Sequence, residues 1–131
     1  MSHITTTKTD VKFTDENCLR SALEMVKNQF QGLTYEYSED RKIIAVRYEK
    51  IDEPVRQYHP EGNMRFSQKS DGTWELSGDR FRCKDEYNSV VDAVQVGYLQ
   101  AGVQEWADLN NYSTDETTDE NKQRVVLARK W

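Results

Sequence analysis

The chain has 131 residues, a formal net charge of -5, 36% hydrophobic residues and 31% charged ones. That length suits one domain (1–131) with a real core, and folding should bury about two thirds of the surface an unfolded chain exposes. The acidic balance disfavours nonspecific adhesion to nucleic acid or anionic membrane. No apolar run approaches the ~20 residues of a membrane span, and three Trp, seven Tyr and four Phe argue against global disorder.

Residues 3–13 carry Ile4, Thr6, Val11 and Phe13 among threonines, a β-branched density that predicts a first strand. Thr14 or Asp15 can cap a helix beginning there, because either side chain accepts a bond from a free first-turn amide. Leu19, Ala22, Leu23, Val26 and Phe30 recur at helical spacing, predicting a helix over 15–29 that Gly32 ends. Leu33, Tyr35 and Tyr37 alternate with polar residues as a half-buried strand. Asp40-Arg41 makes a turn, and 43–48, the most continuously apolar stretch, reads as a central strand. Residues 49–61 hold both prolines, Pro54 and Pro60, and read as a long surface loop.

Met64 and Phe66, the turn Ser70-Asp71-Gly72, and Trp74 with Leu76 form a hairpin. From about Asp85 the period changes to 3.6 through Tyr87, Val90, Val91, Val94, Tyr98 and Ala101. This predicts a helix of five to six turns that contains Gly97 and Gly102. Each glycine costs ~1 kcal/mol relative to Ala inside a helix, so a close contact with the sheet is the expected compensation. The acidic stretch 110–122 has two readings, a loop or a strand over 112–117 paired with 123–130. Val125, Val126, Leu127 and Trp131 mark that last segment as an ordered strand. The expected fold is α+β, two layers, with two helices on one face of a mostly antiparallel sheet. It is ferredoxin-like with extra strands.

The opening Met1-Ser2-His3-Ile4-Thr5-Thr6-Thr7-Lys8-Thr9, Cys18-Leu19 with Ala22-Leu23, and Gly62-Asn63 to Phe66 carry a family resemblance. It continues at Asp71-Gly72-Thr73-Trp74-Glu75-Leu76, at Tyr98, and at Val125-Val126 to Arg129-Lys130-Trp131. These resemble a family of uncharacterised proteins encoded in cyanobacterial and some plastid genomes, the hypothetical chloroplast reading frame thirty-five family. The likeness is patchy, covers most of the chain and is strongest at its two ends. It implies a fold and no established catalytic activity.

Chemistry-bearing residues are few. His3 and His59 are the only imidazoles, and no Cys-x-x-Cys or His-x-x-x-His spacing accompanies them, so no metal is expected. Cys18 and Cys83 could in principle form one bridge, but Cys18 falls on a predicted helix beside core positions, and the two read as buried or semi-buried thiols of a reducing compartment. The first residues lack the apolar core of a signal peptide. The expected location is cytoplasmic, or the equivalent soluble compartment of a plastid or a virus-infected bacterial cell. Cys83 lies between Arg82 and Lys84, and converging cations would lower its pKa, although neighbours in a strand point away from each other. Arg80, Phe81 and Arg82, with Arg129 and Trp131 on the last strand, make the one candidate interaction patch, able to receive phosphates or stack a base. Glu49, Asp52, Glu53 and Glu61 read as a solvated acidic face. No Walker loop, dinucleotide fingerprint or nucleophile elbow is present, and no cofactor is expected. The first reading is a noncatalytic protein-binding or assembly module with a protein partner. The alternatives are an RNA or single-strand-binding module and a small thiol-dependent enzyme centred on Cys83 or His59.

Overall fold

The computed structural model describes residues 4–110 and the backbone of 112–118 and 124–130. In chain order the elements are β1 (Thr5–Thr6), α1 (Glu16–Gln29), β2 (Thr34–Ser38), β3 (Ile43–Arg47) and α2 (Glu49–Asp52). A 3-10 turn (Glu53–Val55), β4 (Met64–Gln68), β5 (Trp74–Gly78), α3 (Lys84–Leu109), β6 (Tyr112–Thr118) and β7 (Arg124–Lys130) complete the order.

Strands β2 to β5 form a meander, each antiparallel to the next, and β1 joins the far edge to give the order β1-β5-β4-β3-β2. Chain reversal is local. Lys42 takes a positive φ at the β2–β3 turn. Between β4 and β5 the Asp71 carboxylate accepts the Thr73 amide at 2.9 Å, and Gly72 supplies a φ of 89°. Because β1 and β2 lie on opposite edges, α1 must cross the whole sheet. The fold is α+β with a mostly antiparallel five-stranded sheet and helices on one face, broadly ferredoxin-like with extra strands.

Strand alternation decides the layers. Ile44, Val46, Met64, Phe66, Trp74 and Leu76 face the helices and are buried against Leu19, Leu23, Val26, Tyr87, Val90 and Val94. Each such side chain contributes about 1.5–3 kcal/mol by leaving water. The intervening residues, Glu36, Ala45, Arg47, Arg65 and Ser77 among them, fall on the uncovered face. Asp15 caps α1, accepting the Asn17 and Cys18 amides at 2.9 and 3.1 Å. The Tyr98 hydroxyl accepts the Thr14 and Asp15 amides and ties α3 to that cap.

Five expectations change. Strand one shrinks to Thr5–Thr6 with an isolated bridge from Phe13 to Trp74, because the amides of Asp10 and Val11 bond the Gln95 side chain instead of a strand. Residues 49–61 are no open loop: Ile51 and Val55, at i and i+4, are buried, and Pro54 sits in the first turn of the 3-10 segment, where its missing N–H costs nothing. Strand β3 is interior, but the middle strand is β4. Helix α3 is 26 residues long, and Gly97 meets α1, not the sheet. A Cβ at Gly97 would lie 3.2 Å from Cα and Cβ of Ala22, so the glycine sets how closely the helices approach. Finally, the chain after Gly78 leaves the strand and turns into α3, with Arg82 at a φ of 60°. The hairpin reading of the C-terminal segment agrees with β6 and β7, which form a separate two-stranded sheet in which Tyr112 pairs with Lys130.

Candidate functional site

The densest polar chemistry lies where α2, the turn before β4, the end of β5 and the start of α3 meet. Asn63 is fully buried there. Its carboxamide donates to the carbonyls of Ile51 (2.9 Å) and Asp79 (2.6 Å) and accepts the Asp79 amide (2.6 Å). Its own backbone N–H donates to Asp52 Oδ1 at 2.9 Å, while Asp52 Oδ2 accepts the Tyr48 amide at 3.0 Å. One side chain thereby joins three segments that are distant in sequence. Burying an amide costs little only when its bonds are all made, and here they are.

Asp79 is the acidic centre of this junction. Its Oδ1 accepts the Phe81 amide at 2.9 Å, and its Oδ2 lies 2.9 Å from His59 Nε2, the two side chains being 7% and 12% exposed. His59 also lines a cavity of about 350 Å³ with Arg47, Tyr48 and Arg56. Cys83, the residue before α3, is 1% exposed, with its Sγ 3.5 Å from the Asp79 carbonyl and 3.7 Å from that of Ile51. Burial first, then the charges of Asp79, Glu86 and Asp52, pushes its thiol up to about 11. An activated nucleophilic cysteine needs the opposite shift. Its sequence neighbours Arg82 and Lys84 are both exposed, in a turn and a first helical position respectively.

The residues singled out from the sequence fall into two groups. Arg80 lies over the Tyr87 ring at 5.7 Å, and Arg82 lies over Phe81 at 5.0 Å. Phe81 meets Tyr58 edge-on at 6.3 Å, and Tyr58 is half exposed. The Arg129 side chain and Trp131 lie outside the described residues, as does His3; among the described members of that patch Arg82 meets Phe81, while Arg80 turns to Tyr87. Tyr58 is an aromatic neighbour that adjacency in sequence does not reveal.

The second cysteine is held differently. Cys18 Sγ donates to Glu105 Oε2 at 3.2 Å, and Asp15 lies alongside, with ligand atoms of the three within 4.8 Å of one another. Asp15 already caps α1, and burial, then the Glu105 bond, raises the Cys18 thiol to about 12. Cys18 and Cys83 contact opposite ends of α3, roughly 30 Å apart at 1.5 Å per helical residue. Both are free, and no disulfide can join them.

Beyond the junction, α3 carries an apolar row that faces water. Val96, Leu99, Trp106 and Leu109 are 44%, 55%, 48% and 77% exposed, and half-buried Val103 completes the row. The signal was present in the sequence: 96, 99, 103 and 106 repeat in steps of three and four on the side away from Val94 and Tyr98. The core-facing period masked it. Among the described residues no helix is long and apolar enough to cross a membrane. Compared with known proteins, the chain matches no family model, no curated protein and no solved structure.

Proposed function

We propose that this chain is a noncatalytic protein-binding module that docks its partner along the outer face of α3. The observation that carries the reading is the exposure of Val96, Leu99 and Leu109 on one helix. Leaving a row of large aliphatic side chains in water is unfavourable, and such rows mark contact surfaces when they are contiguous. The thiols support the same reading, since both are shifted away from nucleophilic reactivity.

Val96→Glu with Leu99→Glu tests it, because both positions face water and neither supports the core. The expected outcome is a partner that co-purifies stoichiometrically with the tagged wild-type chain from its own cells and is lost with the double variant. The variant's urea midpoint should match wild type. A partner retained by the folded double variant, or a wild-type chain that purifies alone, overturns the proposal.

A further inference from the structure

The uncovered face of the sheet is assembled by register. Glu36, Ala45, Arg65 and Ser77 stand in one row across β2, β3, β4 and β5. Ala45 is the smallest side chain between Ile43 and Arg47 on the same face of β3. A methyl group bordered by long side chains leaves a depression, and its volume is about 330 Å³. Arg41 reaches it from the β2–β3 turn, Arg47 and Glu61 from the other end, Glu36 from β2 and Arg65 from β4. Gly62 makes room for one of these groups. It has a φ of 119°, and a Cβ there would sit 2.8 Å from Arg47 Nη1.

The arginines of the described residues divide cleanly. Arg20 pairs with Glu16 and lies over Tyr37, Arg56 pairs with Glu49 and Glu53, and Arg80 and Arg82 lie over aromatic rings. The side chains of Arg41, Arg47 and Arg65 make no hydrogen bond, ion pair or ring contact among the described residues, and they are the three arginines that line this cavity. Glu36 and Glu61, in the same wall, are equally without partners among the described residues. In a chain with net charge -5 this is a local concentration of uncommitted guanidinium groups.

We propose that the cavity binds a small phosphorylated molecule. Arg41, Arg47 and Arg65 hold the phosphate, and Glu36 and Glu61 accept hydrogen bonds from hydroxyl groups on the rest of it. Guanidinium forks match phosphate oxygens bidentately, and the volume is at the small end of ligand cavities. A single-stranded nucleic acid fits less well, because stacking needs rings. Tyr35, Tyr37, Phe66 and Trp74 all pack on the helix side, and two carboxylates beside the arginines would repel a run of phosphates. The site lies on a different face from the α3 row and stands or falls separately from it.

The test is a titration of the isotopically labelled chain by amide NMR at fixed ionic strength, with inorganic phosphate, a hexose phosphate and a single-stranded RNA oligonucleotide as separate probes. The expected result is saturable shifts at Ala45, Arg47 and Arg65, with the hexose phosphate binding more tightly than phosphate alone. Arg47→Gln and Arg65→Gln should each weaken it about tenfold, the worth of one lost charge-assisted bond. Arg82→Gln, a folded control outside the cavity, should leave it unchanged. Four results overturn the proposal: no saturable shift by about 10 mM hexose phosphate, equal affinity for the two phosphates, binding that survives both cavity substitutions, or a response to RNA alone.

Discussion

The junction around Asn63 and the cavity around Ala45 are neighbours joined through Gly62, and both are rich in polar groups. They differ in one respect. At the junction the polar side chains are buried and their bonds are made within the chain; at the cavity the charged groups are accessible and make none among the described residues. A buried amide must be satisfied or the fold loses stability, so the junction's residues are explained by folding alone. A solvated arginine has no such obligation. Three of them lining one cavity, unpaired among the described residues, are not required by the fold, and the two regions should therefore respond in opposite ways to substitution.

The largest effect belongs to the junction. Asn63→Ala leaves the Asp79 amide unpartnered in a buried site, and leaves the Ile51 and Asp79 carbonyls to share one weak donor, the Cys83 thiol. At about 1–3 kcal/mol for each buried group left unsatisfied, a loss of about 3 kcal/mol or more is expected in urea unfolding. Arg65→Gln at the cavity should stay within about 0.5 kcal/mol, as a surface change does. Equal losses from the two substitutions would erase the distinction between the regions.

A second probe sharpens how tightly the junction side is packed. A Cβ placed at Gly78 would collide with the Tyr87 ring, whose hydroxyl bonds the Thr7 hydroxyl at 2.7 Å. Gly78→Ala is expected to destabilise by about 1–3 kcal/mol through overpacking. The loss should be smaller in a Tyr87→Leu background, because two residues in contact are not additive. A strictly additive pair would show that the ring yields freely.

Particular residues show why the fold was more legible than the sites. Asp15, Gly72 and the alternation through Ile44, Val46, Met64, Phe66, Trp74 and Leu76 act through local rules, and local rules can be read along a chain. Asn63 carries no such mark. Its role depends on Ile51 and Asp79, 12 and 16 residues away, meeting it in space. The cavity is a matter of register: Glu36, Ala45 and Arg65 form a row only once three strands pair. Arg80 and Arg82 stand out because they are close in sequence, whereas Arg41, Arg47 and Arg65 are scattered over about 25 residues and gathered by pairing. Segment 49–61 misleads for a related reason. Its two prolines read as loop, while the Ile51 and Val55 pair that buries it is too short to register as a periodic run.

The smallest expected effect concerns the thiol at the junction. The Cys83 pKa rises from an ordinary 9.0 to about 11 on folding, chiefly through burial. Below pH 9 the thiol is neutral in both states, and the stability it contributes is fully present. As pH climbs from 9 towards 11 the unfolded chain releases this proton first, so stability is lost across that window. Urea midpoints measured from about pH 7 to about 10.5 should fall less steeply for Cys83→Ala than for wild type, with the difference confined above about pH 9. Alkylation of native Cys83 at about pH 8 should likewise be far slower than in urea. A native Cys83 that reacts as fast as the unfolded one would place the thiol at an accessible surface, and the junction would then resemble the cavity rather than oppose it.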